Sequence, residues 1–406
     1  MKIEDKGILI AKGFKAAGDF IGIKKAKKDL AILYSEAPCT YAGAFTQNIV
    51  KAAPVIWDQK VLKADKPIHA VVVNSGNANA VTGSTGHKDV ETMASTTARA
   101  LGIEKEEVLV CSTGVIGVPL PMEVIVPGIE KVASQLGEGS EAESKAAEAI
   151  LTTDTFKKEI ALQDEIDGYT VSVGAMGKGS GMIHPNMATL LAFVATDVNI
   201  TKPMLQKALN KCVDLSFNMI TVDGDTSTND SVIVLANGEA NNPLIEEEGE
   251  AFDKFSKMLF EALKFIAISI VKDGEGATKL LEVEINNIGS FKEGKTLAKS
   301  ILTSNLVKTA FFGEDANWGR ILAAMGYSGV VFNQDKVTLT LESVAGSIVL
   351  FKAGMPLGFS EEKARNILEE KEIKIIVNME DGKETVRAWG CDLSYEYVKI
   401  NGEYRS

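Results

Sequence analysis

Short apolar runs and helically spaced apolar positions alternate along the whole chain. "HAVVVNSGNANA" (69–80) and "EVLVCSTGVIG" (107–117) each carry a valine-rich or leucine-bearing run that stops at a polar, glycine-bearing turn, the pattern of a buried strand. "SEAESKAAEAILTTD" (140–154) opens on Ser140, places acids in its first turn and continues in alanine, which predicts a helix. In "TKPMLQKALNKCVDL" (201–215), Thr201 stands at the N-cap and Pro203 in the first turn of another helix. "EAFDKFSKMLFEALKFIAISIV" (250–271) is a longer, largely apolar helix that stops at "KDGEG". Near the end, "EIKIIVNMEDGKETVRAWGCDLS" (372–394) sets Asp381-Gly382 between two β-rich runs and predicts a hairpin. The fold class expected is mixed α/β.

At 406 residues the chain has room for two or three domains, or for one large one. It shows no solenoid-period repeat and no Pro/Ser-rich spacer. One stretch stands out against this background. "GKGSGMIHPNMATLLAFVATD" (177–197) passes from a glycine-rich loop straight into an apolar run that opens on Thr189, with no turn residue between. Any division of the chain at Thr189 would therefore fall inside a folded body, whereas limited proteolysis normally strikes exposed linkers.

Composition narrows the function classes. Hydrophobic residues make up 45% and charged residues 24%, ordinary for a soluble globular protein. A net charge of −12 argues against nucleic acid as partner, because phosphate binding needs clustered Lys and Arg. The N-terminus lacks the apolar core of a signal peptide, and "LKFIAISIV" is too short to span a bilayer, so a cytoplasmic protein without membrane attachment is expected. Cys39, Cys111, Cys212 and Cys391 form no CxxC pair, and reduced thiols are the expectation.

Several familiar chemistries are excluded by spacing. His69, His87 and His184 are scattered, outside any HxxxH or HExxH setting, and no metal site is expected. "DGDTSTND" (223–230) lacks the glycine and glutamate of a calcium loop and reads as a polar turn. "GAMGKGSG" (174–181) has Gly179 where a phosphate loop needs Ser or Thr. No GxSxG elbow is present. What remains is a set of threonines beside glycines. Thr113 and Gly114 follow an apolar strand, where backbone N–H groups and a hydroxyl can face a developing oxyanion, although a plain turn has the same pattern. Thr189 has two readings. It is the first residue of a buried strand, which physical chemistry alone favours, or it is a nucleophile exposed by cleavage of the Ala188–Thr189 bond. An N-terminal threonine carries its own base, an α-amine with a pKa of roughly 7.7–8.0, so no histidine is needed.

Beyond these readings, "NSGNANA", "CSTGVIGVPLPM", "TTDTFKK", the 177–197 block, "SFNMITVDGDTSTND", "KDGEGATK", "GEDANWGRILAAMGYSG" and the terminal "INGEYRS" follow one another to the last residue. With these blocks the chain resembles the ornithine acetyltransferase family, the bifunctional glutamate N-acetyltransferases of cyclic arginine biosynthesis. The resemblance implies a precursor that cleaves itself at Ala188–Thr189 into an α chain, 1–188, and a β chain, 189–406, assembled as an α2β2 heterotetramer. It implies β-sheet layers flanked by helices, in an N-terminal-nucleophile fold. It implies Thr189 as the nucleophile that carries acetyl from N-acetylornithine to glutamate, and Thr113 and Gly114 as the oxyanion hole. Thr155, Lys178, Thr189, Glu275, Asn401 and Ser406 match its substrate contacts. No cofactor is implied, and acetyl-CoA stays open as a second donor. Two other readings remain. A hydrolase, an amidohydrolase or aminopeptidase, would use the same threonine but pass the acyl group to water. A non-catalytic amino-acid-binding protein would leave Thr189 a strand residue.

Overall fold

The computed structural model describes residues 3, 5–64, 66–184 and 190–403. They form two compact units. Of the described residues, unit 1 contains those up to Asn218 and Thr226–Ile270; unit 2 contains Met219–Asp225 and those from Val271 to Glu403. These units do not coincide with the expected α and β chains, since unit 1 draws on both sides of residue 188.

Unit 1 is built on strands β1 (Phe14–Asp19), β2 (Leu30–Phe45), β3 (Ile68–Asn77), β4 (Val108–Val115), β5 (Lys158–Ile166), β6 (Tyr169–Lys178), β7 (Leu191–Thr196) and β8 (Ser231–Ala236). Their order is β4-β3-β2-β8-β7-β6-β5, with β1 also on β2. The first half of β2 pairs with β1 and β3, and its second half, from Thr40, pairs with β8. Between the halves the register breaks after Tyr34, in a segment holding Pro38, which has no N–H to give to a ladder.

Side-chain alternation decides which face each residue serves. Leu30 and Ile32 of β2, Val72 of β3 and Val110 of β4 pack with Met93 and Ile129 from helices Gly83–Leu101 and Met122–Ala133. Their sequence neighbours Leu33, Val73 and Cys111 point the other way. They share a second core with Phe193 of β7, Ile233 of β8 and Ala146 of helix Ser140–Ala149. Strands buried on both faces read as continuous apolar runs, which is why β3, β4 and the run after Thr189 are visible in the sequence. Every residue of β7 and of β8 is buried. The helices expected at 140–154, 201–215 and 250–271 form as Ser140–Ala149, Lys202–Leu215 and Glu250–Lys272. Thr201 holds the N-cap position with extended backbone, but its hydroxyl makes no capping bond.

Unit 2 carries β9 (Leu280–Ile288), β10 (Thr338–Ser343), β11 (Gly346–Lys352), β12 (Met355–Pro356), β13 (Glu372–Asn378) and β14 (Glu384–Cys391) in the order β12-β11-β10-β13-β9-β14. Here one expectation fails. β13 and β14 are not a hairpin, because β9 lies between them, parallel to β13 and antiparallel to β14. The Asp-Gly signal specifies a reversal of the chain but not which strand stands alongside. By sandwiching β9, β13 buries Ile373, Ile375 and Val377, and β14 buries Val386 and Ala388. The link steps over the end of β9 and bonds to it: Met379 N–H donates to the Asn286 carbonyl (2.9 Å) and Asp381 N–H to that of Asn287 (2.8 Å). Among the described residues no helix is long and apolar enough to cross a membrane.

Gly382 fits under this step because it has no side chain: a Cβ would stand 2.2 Å from the Ile288 carbonyl oxygen, an impossible approach to backbone. Gly382→Ala should destabilise unit 2 by about 1–3 kcal/mol, the usual cost of overpacking. Calorimetric melting of the variant checks this, and an unchanged transition would mean that the link is not pressed against β9.

Candidate active site

The first cluster forms where β3 and β4 end together. The two strands are parallel, with Ser75 opposite Thr113 and Gly76 opposite Gly114, and the register then slips at Asn77. Both glycines take positive φ, +105° and +133°. A Cβ on Gly114 would also lie 2.3 Å from the Gly76 carbonyl carbon, so glycine is required there for conformation and for space. Past the slip, side-chain amides take over from the ladder. Asn74 Nδ2 donates to the Asn77 carbonyl (2.8 Å), Ser112 Oγ to Asn74 Oδ1 (2.6 Å), and Asn77 Nδ2 to the carbonyls of Val118 and Pro119 (3.1 Å each). Asn229 Nδ2 donates to the carbonyls of Ala78 (2.5 Å) and Ser112 (2.8 Å). The "DGDTSTND" stretch is thus more than a polar turn, because Thr228, Asn229 and Asp230 are buried and Asn229 clamps the strand ends.

Lys178, the last residue of β6, reaches this place from the far side of the sheet order. Its Nζ lies 3.3 Å from Thr113 Oγ1 and donates to it. β6 and β4 stand far apart in the order yet meet, so the sheet folds back on itself across the interrupted β2. A buried carboxylate fixes the approach. Asp154 Oδ1 accepts from Lys158 Nζ (2.7 Å) and from Gly179 N–H (2.8 Å), and Oδ2 accepts from Thr152 N–H (3.0 Å). Burial alone would push the Asp154 pKa up, but the Lys178 and Lys158 ammoniums more than offset this and hold it well below the usual carboxylate range. Thr155 sits on the same turn, exposed. Asp230, fully buried at the start of β8, behaves oppositely. Burial dominates and pushes its pKa well up, against Ser227, Lys178 and the Leu190 N–H.

The second cluster lies in unit 2. Glu275 follows helix Glu250–Lys272, and its Oε2 accepts from Asn401 Nδ2 (2.8 Å) on the helix Tyr395–Glu403. At Gly276, φ is +69° and a Cβ would fall 2.4 Å from Tyr397 N, so the turn is seated on that helix. Burial first, then Asp223, Asp225 and Glu275, push the Tyr397 phenol pKa up, which marks an anionic neighbourhood.

Thr113, Gly114, Lys178 and the Thr155 turn therefore come together in unit 1, and Glu275 and Asn401 in unit 2. Ala188, Thr189 and Ser406 lie outside the described residues. The flanks of the Thr189 segment are tied down: Ile183 bridges Thr226, and the Leu190 carbonyl accepts from Ser231 N–H (2.8 Å). Sequence patterns miss Asp154, Asn229 and Asp230. For Asp154 a signal exists, its i,i+4 spacing to Lys158, but outside a helix that spacing predicts nothing. Chemically, unit 1 offers a hydroxyl polarised by an ammonium beside a glycine backbone.

The ArgJ family model matches residues 15–406. The chain is 52% identical to the arginine biosynthesis bifunctional protein ArgJ of Caldanaerobacter subterraneus subsp. tengcongensis, covering 100% of both. It is 51% identical to the protein of the same name from Thermotoga neapolitana, over 98% of this chain and 100% of that one. A crystal structure of ornithine acetyltransferase complexed with ornithine, from Mycobacterium tuberculosis, is 42% identical over 46% of this chain and 99% of that chain, with a TM-score of 0.44.

Asp154→Asn should cost about 3–5 kcal/mol of stability, because it leaves the buried Lys158 ammonium facing a neutral amide. The folded pKa is depressed, so the wild-type advantage is full above a pH of about 4, the unfolded carboxyl's range, and is lost as pH falls through the folded value. Denaturant titrations of both proteins across pH test this; equal stability at neutral pH would remove Asp154 as the anchor.

Proposed function

Because the chain belongs to the ArgJ family, we propose that it is an autoprocessing acetyltransferase of arginine biosynthesis that moves acetyl from N-acetylornithine to glutamate through an ester on Thr189. The observation that carries this reading is the 3.3 Å bond from Lys178 to the Thr113 hydroxyl. A hydroxyl that accepts from an ammonium has its own proton left to donate, and the ammonium strengthens that donation. Beside it stands Gly114, whose N–H is the second oxyanion donor of the proposal.

In this reading the Thr189 hydroxyl attacks the Ala188 carbonyl, the C–N bond breaks, and water cleaves the resulting ester. The products are an α chain, 1–188, and a β chain, 189–406. The freed α-amine then serves as the base. It takes the hydroxyl proton as Thr189 attacks the acetyl group and returns it to the departing nitrogen of ornithine. The amine of glutamate attacks the acetyl-Thr189 ester and restores the hydroxyl, giving N-acetylglutamate. Thr155, Lys178, Thr189, Glu275, Asn401 and Ser406 bind substrate, Glu275 being the anion suited to an ammonium. The word "bifunctional" in the relatives' names supports a second donor, and acetyl-CoA fills that role here. The reading is completed by an α2β2 assembly in the cytoplasm. A hydrolase with the same threonine would form acetate in place of N-acetylglutamate, so product analysis separates the two.

Wild-type protein should run as two fragments on a denaturing gel, the second beginning "TLLAF", and Thr189→Ala should stay whole. Normal cutting of that variant would end the nucleophile assignment. In processed protein, Thr113→Ala should lower kcat by a factor on the order of 10²–10³ with KM little changed, since the charge it faces exists only in the transition state. Steady-state kinetics decide, and an unaltered kcat would make Thr113 an ordinary turn residue.

A further inference from the structure

The two half-reactions of the proposed transferase present different substrates to one site. N-acetylornithine has one carboxylate and a distal ammonium, whereas glutamate has a carboxylate at each end. A site that takes both needs a cation that only glutamate uses. We infer that Lys24, on the loop between β1 and β2, is that cation and binds the side-chain carboxylate of the acceptor glutamate; this rests on the function proposed above.

The loop is built to hold one lysine inward. The buried Asp29 carboxylate accepts from the N–H groups of Ile21 (2.7 Å), Gly22 (3.2 Å) and Lys24 (2.8 Å), so its charge is committed to the backbone. Of the neighbouring lysines, Lys25 and Lys27 are exposed, and Lys28 is paired with Glu148 at 2.6 Å. Lys24 is different. Its stem lies on Gly76, where a Cβ would meet Lys24 Cγ at 2.8 Å, and Gly76 is the register partner of Gly114. Its Nζ donates to the Leu151 carbonyl (2.8 Å), just before the turn that carries Asp154 and Thr155. Lys24 thus bridges the two segments that frame Thr113 and Lys178.

The charges around it call for an anion. Lys24 and Lys178 gather here, while Asp154 is already bonded through both oxygens, one of them to Lys158, and burial pushes the Asp230 pKa well up. Among the described residues no carboxylate lies within ion-pair distance of Lys24 Nζ. Burial first, with Lys27 and Lys178, pushes its pKa down to about 8 against the pull of Asp29 and Asp154. A carboxylate arriving beside this ammonium would relieve the desolvation that burial imposes.

The test uses full-length, processed protein and separates the half-reactions. Release of ornithine from N-acetylornithine reports the first, and the KM for glutamate reports the second. Lys24→Met should raise the glutamate KM roughly 10–100-fold, the range for losing a charged hydrogen bond, and lower the first rate far less than that. Lys24→Arg should recover much of that loss. Glutamine, which has the shape of glutamate without the side-chain charge, adds a measurement on wild type that needs no variant to fold. Wild type should prefer glutamate, and Lys24→Met should lose the preference. Equal use of glutamine and glutamate by wild type would overturn the assignment, as would an equal loss in both half-reactions. Wild type that releases no ornithine from N-acetylornithine would instead sink the underlying transferase reading.

Discussion

The buried carboxylate of Asp154 is the constraint on which the unit 1 site depends. It is bonded to Lys158, which opens β5, to Gly179, which follows β6, and to the backbone of its own turn at Thr152. One group thereby fixes where β6 ends and how the Thr152–Lys158 segment leaves its helix. Lys178 precedes Gly179, so its ammonium meets Thr113 only while that anchor holds. An ion pair of this kind adds little net stability over a well-packed apolar core. Its contribution is positional, because it offers three donors one geometry.

How legible the protein is depends on whether a feature is local. β3, β4, β7 and the helices can be read because burial on two faces, or on one helical stripe, leaves a pattern in consecutive residues. The Asp381-Gly382 turn misleads for the complementary reason: the strand that separates β13 from β14 lies some ninety residues upstream, and no local pattern reports it. The anticipated site residues, Thr113, Gly114, Thr155, Lys178, Glu275 and Asn401, come through family resemblance. The bare pattern around each describes an ordinary turn, strand end or loop.

Asp154, Asn229 and Lys24 escape both routes. Lys24 sits in "IGIKKAKKDL", where four lysines look alike in one dimension. Only the folded loop distinguishes the one on Gly76 from the two in solvent and the one paired with Glu148. Asn229 stands in a stretch of Asp, Thr, Ser and Asn that resembles any polar turn. Its amide acquires meaning when β3 and β4 end beside it with carbonyls to satisfy.

The strand order of unit 1 governs how the fragments of a chain cut after residue 188 would behave. β7 and β8, which come later in the chain, are inserted between β2 and β6, which come earlier. Two backbone seams, β2 with β8 and β6 with β7, would then join separate polypeptides through six residue pairs each, over a shared apolar core. Such fragments are not docked partners that can drift apart and rebind. Separation would require unfolding both, so the nicked protein would keep its composition on dilution far below the range where surface-docked subunits dissociate. It could be reassembled only by folding the two chains together.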